Sequence, residues 1–244
     1  MKTKQYIAIT IALASQAFGQ DISSGLVGSF QLDSNVLDSS GNGHDATLSG
    51  SASYVADRFG NSGSALSFTD TIGLQAIGSG INLAGSSMTV AFWYKKSIDP
   101  MDAWVFRLGS ESNSGKSVSI SLDYPGDVRF SFFYNDLDYS ESPNQSTDTW
   151  YHIAGTYDAI SGARKIYIDG SEVASDTPPE GFSGDDIFSF GYNGVTMDDV
   201  RIYSRALTGG DVSALTAIPE PSTYGILAAF TALLAAAYQK KKRG

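Results

Sequence analysis

Apolar and polar residues alternate in short runs through the middle of the chain. In Ser117-Val118-Ser119-Ile120-Ser121-Leu122 the apolar side chains fall on one face and the serines on the other. That two-residue period belongs to a strand with one buried side. Met88-Thr89-Val90-Ala91-Phe92-Trp93-Tyr94 gathers Met88, Val90, Phe92 and Tyr94 in the same way. Val128 to Tyr134 is nearly continuous and aromatic, as in a strand covered on both faces. Trp150 to Tyr157 and Asp199 to Tyr203 read as two further strands. Lys165-Ile166-Tyr167-Ile168 and Ser171-Glu172-Val173-Ala174 flank Asp169-Gly170, a hairpin with Asp-Gly where positive φ is required. One helix is predicted: Thr208 caps it, Asp211 follows three residues on, and Val212 and Leu215 supply an apolar stripe. Ser175–Asp186, with Pro178-Pro179, reads as a surface loop. Many short strands with so little helix predict an all-β fold, a sandwich or jelly roll and not an α/β enzyme.

Composition narrows the function classes. The 244 residues contain no cysteine, so a disulfide framework, a cysteine zinc site and a cysteine nucleophile are excluded. Histidine occurs only at His44 and His152. Of 16 basic residues, six sit at the ends (Lys2, Lys4, Lys240, Lys241, Lys242, Arg243), whereas all 26 acidic residues lie from Asp21 to Glu220. The stretch 20–221 therefore sets ten basic against 26 acidic residues, a balance of −16. That charge disfavours nucleic acid as a partner. It also implies that binding to an anionic polysaccharide would need a bridging divalent metal.

The ends read as trafficking segments. Lys2 and Lys4, the apolar run Tyr6 to Ala14 and the small-residue exit Ala17-Phe18-Gly19 compose a secretory signal at 1–19, cleaved by signal peptidase before Gln20. The domain then occupies 20–217, and a sorting segment 218–244. Within that segment Pro219-Glu220-Pro221 precedes an uncharged stretch, Ser222–Gln239, whose 18 residues would reach about 27 Å as a helix. A transmembrane helix is placed at 223–239, and the basic cluster 240–243 would stay on the cytoplasmic side. The order tripeptide, helix, basic end resembles the bacterial PEP-CTERM sorting signal. The resemblance implies an inner-membrane intermediate, cleavage by an exosortase-type protease, and delivery to the cell surface or extracellular matrix.

The middle of the chain resembles a family as well. Gly25-Leu26-Val27-Gly28-Ser29-Phe30 with Asp38-Ser39-Ser40-Gly41-Asn42-Gly43-His44 is similar to the opening of a laminin G-like, concanavalin A-like lectin domain. Arg58 to Phe68, Met88-Thr89-Val90-Ala91-Phe92-Trp93, Thr149 to Ala154, Ile166-Tyr167-Ile168-Asp169-Gly170 and Asp198 to Leu207 follow in the family's order. The resemblance covers about residues 24–215. It implies a concanavalin A-like jelly-roll sandwich of two antiparallel sheets, with about 12–14 strands and the first and last strands paired.

Candidate chemistry follows. The loop Asp38-Ser39-Ser40-Gly41-Asn42-Gly43-His44-Asp45 is rich in oxygen donors, and calcium takes six to eight of them. The resemblance brings the closing strand beside the opening one. Asp198 or Asp199 can then complete a structural calcium site with Asp38, Asn42 and the His44 carbonyl. On an alternating strand Asp199 shares a face with Arg201, and Asp198 shares the other with Val200 and Ile202. The alternative is that Asp38 and Asn42 hold a turn by side-chain-to-backbone bonds. Catalytic chemistry has little to stand on: there is no Glu-x-Asp-x-Glu run and no Gly-x-Ser-x-Gly elbow, and Asp136 and Asp138 read as a polar turn. His152 reads as a satisfied sheet histidine, and Trp93, Trp104 and Trp150 as core or sheet-face residues. Phe133-Tyr134-Asn135-Asp136-Leu137-Asp138-Tyr139 and Phe190-Gly191-Tyr192-Asn193 mix aromatic faces with amides and carboxylates, as glycan sites do. The preferred expectation is an exported, non-enzymatic surface or matrix protein that binds glycan, exopolysaccharide or a surface partner. A ligandless structural matrix component and a polysaccharide-active hydrolase or lyase remain as alternatives.

Overall fold

Alternation along the strands sorts the side chains into the layers of a two-sheet sandwich. The computed structural model describes residues 21–70, 76–99, 101–123, 127–140 and 145–218. The signal segment, the Pro219-Glu220-Pro221 motif and the predicted membrane helix fall outside them. Among the described residues no helix is long and apolar enough to cross a membrane.

The strands in chain order are β1 (Leu26–Phe30), β2 (Thr47–Leu48), β3 (Ala52–Val55), β4 (Ala65–Phe68) and β5 (Ala76–Gly78). Next come β6 (Met88–Lys96), β7 (Ala103–Leu108), β8 (Val118–Asp123), β9 (Asp127–Ser131) and β10 (Asp136–Tyr139). The last are β11 (Tyr151–Tyr157), β12 (Arg164–Ile168), β13 (Ser171–Asp176), β14 (Phe188–Phe190) and β15 (Val195–Tyr203), followed by helix α1 (Gly209–Thr216). One sheet has the order β13-β12-β11-β6-β15-β4-β3, and β1 pairs antiparallel with β15, Phe30 opposite Val200. The other has the order β10-β9-β8-β7-β14-β5-β2. The first and last described strands are therefore partners, as the family resemblance implied.

The core lies between the sheets and is largely aromatic. Phe30 of the eight-stranded sheet meets Phe188 and Phe190 of the seven-stranded sheet at ring separations of 5.1 and 5.3 Å. Phe92 and Phe106 stack across the gap at 6.5 Å. Each such ring contributes roughly 1.5–3 kcal/mol by leaving water. Gly191 has φ +87°, and a Cβ there would meet the Phe68 ring at 2.2 Å, so only glycine fits this corner of the core.

A second apolar cluster covers the outer face of the eight-stranded sheet: Ala91, Ala154, Tyr167, Tyr203, Leu207, Val212 and Leu215. It exists because α1 lies there with the predicted stripe turned inward. The Thr208 hydroxyl accepts from the Asp211 amide, and the Asp211 carboxylate accepts from the Thr208 amide, a complete capping box. Ile22, Leu26 and Ile218 pack onto the same cluster, so both ends of the described domain gather on this face.

Three sequence expectations change. The aromatic run Val128 to Tyr134 is not one strand: β9 ends at Ser131, and the chain reverses at Phe133 (φ 39°) and Tyr134 (φ 62°). The fully buried Arg164 fixes that turn by donating to the Asn135 carbonyl and side chain (2.8 and 3.1 Å) while pairing with Asp176. Asp136 and Asp138 are consequently strand residues of β10, not a polar turn. In β15 a bulge at Asp199 (φ 50°) breaks the alternation: Asp198 pairs with Trp93, but Arg201 pairs with Ala91. Asp198 therefore does not share the inward face of Val200 and Ile202.

Candidate functional site

The outer face of the seven-stranded sheet carries the cleft. On β7, Ala103, Val105, Phe106 and Leu108 point into the core, whereas Trp104 and Arg107 point out. Their spacing of three, odd for a strand, follows from a register shift between Trp104 and Phe106 that turns Val105 and Phe106 both inward. Across the sheet, Arg107 stands opposite Ser189 of β14, which stands opposite Ile77 of β5. Together with Asp102, Ser110, Ile187 and Tyr192 these residues line a cleft of about 630 Å³.

Its most prominent group is Trp104, 47% exposed. The Arg107 guanidinium lies over the indole, 5.5 Å from its centroid, and donates to the Ser110 carbonyl at 2.8 Å. Burial pulls the Arg107 pKa below its usual value, and the nearby Asp185 carboxylate offsets this in part. Asp185 itself accepts from the Ser110 amide and hydroxyl and from the Ile187 amide, which fixes the two loops forming one wall. The cleft thus joins an open aromatic face, a cation, small hydroxyls and one further carboxylate, Asp102. Sequence reasoning missed Trp104 and Arg107, because the signal is two amphipathic residues in an apolar run whose bulge the sequence does not announce. Tyr192 it did single out.

Towards the other edge the same face is polar. Ser119 and Ser131 lie next to Arg107 in register, and Ser121 lies between Trp104 and Arg129. Arg129 pairs with Asp138 at 2.6 Å and with Asp136 at 3.4 Å. Beyond them, at the β9–β10 turn, Tyr134 is 84% exposed, with the Phe133 ring 4.4 Å away.

The residues expected to hold calcium have other partners here. One Asp38 oxygen accepts from the amides of Ser29 and Ser40, the other from the His44 amide and the Ser40 hydroxyl. Burial raises the Asp38 pKa, but these bonds outweigh it and hold the carboxyl below its ordinary value. The Asn42 amide donates to the carbonyls of Leu26 and Val27. Asp38, Asn42 and His44 lie in one turn held by these bonds. Asp198 and Asp199 instead converge on Arg58, at 2.5 and 3.0 Å, because the bulge turns both carboxylates to one guanidinium. Among the described residues no group of three or more His, Cys, Asp or Glu is arranged to hold a metal ion.

Arg58 also lies over Trp93 (4.8 Å) and donates to the Ile218 carbonyl (3.2 Å). His152 sits beside Trp93 with rings 5.3 Å apart, and it is 2% exposed. It is a buried sheet histidine, and its Nδ1 has no hydrogen-bond partner among the described residues. Burial, then the charges of Arg201 and Arg58, push its pKa down to about 3.

Comparison with known proteins agrees with this architecture. No curated protein matches the chain. Among solved structures, the botulinum neurotoxin serotype D binding domain superposes with a TM-score of 0.63 at 19% identity, covering 81% of this chain and 52% of that one. The binding domain of Paraclostridial Mosquitocidal Protein 1 gives 0.59 at 20% identity, covering 80% and 52%. The botulinum neurotoxin DC binding domain, solved in complex with SialylT, gives 0.62 at 19%, covering 80% and 52%. The chain spans about half the length of these structures, and at such identities the likeness is one of fold. Residues 68–213 match the laminin G family model described as the concanavalin A-like lectin/glucanases superfamily. With that match running from the end of β4 into α1 over the two-sheet sandwich described above, the chain belongs to the concanavalin A-like lectin/glucanases superfamily, in its laminin G family.

Proposed function

We propose that the domain is a lectin-like module that binds glycan in the Trp104 cleft. The chain is exported and sorted to the cell surface or matrix, where exopolysaccharide is the ligand class at hand. The observation that carries the binding reading is Trp104. A large indole held 47% exposed on a strand, over a cleft of about 630 Å³ with hydroxyl and charged groups at its rim, is a platform for the apolar face of a sugar ring. The family adds support at the level of fold, and so does the SialylT complex of one structural neighbour. Export and sorting rest on the basic-apolar-small order of residues 1–19 and the motif Pro219-Glu220-Pro221 with its apolar stretch and basic end.

The test is a polysaccharide array probed with the full chain and with Trp104→Ala. The ring is 47% exposed, and the variant's melting curve checks that its truncation leaves the fold standing. Affinity for the bound glycan is expected to fall about tenfold or more, the usual cost of deleting an aromatic anchor. An unchanged profile in the variant, or no glycan bound by the parent chain, would overturn the reading.

A further inference from the structure

Arg107 differs from every other described arginine. Arg58, Arg129, Arg164, Arg201 and Arg205 each meet an aspartate at 3.1 Å or closer. Arg107 meets no carboxylate among the described residues. Its Nη2 donates to the Ser110 carbonyl at 2.8 Å and to the Ser112 hydroxyl at 3.4 Å, leaving Nε and Nη1 to donate elsewhere. In a stretch carrying −16, an arginine without an acidic partner is conspicuous. The nearby Asp185 acts on it only through its charge, without an ion pair, while its oxygens accept from Ser110 and Ile187. The remaining acid of the cleft, Asp102, forms no ion pair with it either, although both line the same space.

Resting on the reading of the cleft as a glycan site, we propose that the sugar it takes is acidic, with a ring carboxylate received by Arg107 while the ring lies on Trp104. The free Nε and Nη1 donors lie on different edges of the guanidinium, and either can give a carboxylate oxygen a charge-assisted hydrogen bond, stronger than one to a neutral hydroxyl. Stacking on Trp104 holds the guanidinium plane in place, so little order is lost when the ligand arrives. Its depressed pKa, caused mainly by burial, marks a cation short of solvation, which an incoming anion restores. The sequence alone suggested that an acidic glycan needs a bridging metal; Arg107 provides a contact that does not.

The probes are polygalacturonate, its carboxyl-reduced neutral counterpart and a sulfated neutral galactan, titrated into the full chain in EDTA. The acidic polymer is expected to bind about tenfold or more tightly than its reduced form, with affinity falling as salt rises. Arg107→Gln should abolish that preference while leaving residual binding of the reduced polymer. Arg107→Lys, which keeps the charge but loses the planar guanidinium, should restore part of it. Equal affinity for the acidic and reduced polymers, a preference untouched by Arg107→Gln, or a requirement for divalent metal would overturn the inference and leave the cleft a neutral-sugar or metal-bridged site. Tighter binding of the sulfated polymer would overturn the carboxylate assignment. Binding of none of the three while the array finds another glycan would refute this inference alone; binding of no glycan at all would refute the site itself.

Discussion

His152 shows how far a single side chain's chemistry depends on neighbours distant in sequence. Its strand position, between Tyr151 and Ile153, is legible from the pattern of residues 150–157. Its protonation state is not, because burial in the fold, and then the charges of Arg201 and Arg58, oppose a proton. The folded pKa of about 3 lies below the ordinary 6.5, so between these values the unfolded chain takes up a proton that the folded chain refuses. Stability from this group is complete above pH 6.5 and is lost as pH falls, by roughly 1 kcal/mol per pH unit. His152→Gln should flatten the fall in unfolding free energy between pH 6.5 and pH 4 relative to the parent, read by urea titration at each pH. Parallel curves for the two proteins would show that the imidazole titrates normally in the fold. Asp38 is a different case. The sequence places it in an oxygen-rich loop and leaves turn and calcium both open. Only the three-dimensional positions of the Ser29, Ser40 and His44 donors show that the carboxylate already serves the turn.

At the scale of elements, the strands and α1 are legible wherever one face is buried and the other is wet. β8, the β12–β13 hairpin with Asp169 and Gly170 both at positive φ, and the capping box of α1 all appear where pattern and turn chemistry place them. The reading failed at β9 and in β15, and for one reason. Bends there are made by non-glycine residues in the left-handed region, Phe133, Tyr134 and Asp199, of which the two aromatics carry no turn signature and the aspartate sits inside an otherwise unbroken strand pattern. They persist because tertiary contacts outweigh local preference: buried Arg164 grips Asn135, and Arg58 grips Asp199. The same limit hid the cleft, since the bulge in β7 sends Trp104 and Arg107 outward together. The β9–β10 turn gives a test. Tyr134 is 84% exposed, so its ring adds little burial, whereas its φ of 62° disfavours any residue with a Cβ. Tyr134→Gly should therefore leave stability unchanged or raise it by up to about 1 kcal/mol in urea unfolding. A loss larger than that would mean the ring supports the fold and is not simply displayed by it.

For the molecule as a whole, the two outer faces carry different features. The face of the eight-stranded sheet receives both ends of the described domain: Ile22, Leu26 and Ile218 share one apolar cluster with α1. Arg205 binds the Asp21 and Ser24 carbonyls on the N-terminal side, and Arg58 binds the Ile218 carbonyl on the other. The cleft opens on the far side of the sandwich, on the outer face of the seven-stranded sheet. A protein held by the chain following Ile218 therefore presents Trp104 and Arg107 away from its point of attachment. The absence of cysteine makes this directly measurable, because one introduced thiol is a unique handle. Ala217→Cys places that handle at the exposed C-cap of α1, and Ile187→Cys places it in the wall of the cleft, at a residue 38% exposed. Coupled to a sensor surface through residue 217, the protein should capture its glycan with the affinity it shows in solution. Coupled through residue 187, it should lose most of its capture, although both variants melt like the parent. Equal capture from the two surfaces would place the ligand elsewhere on the molecule, and capture lost only through residue 217 would place it on the face where the chain ends emerge.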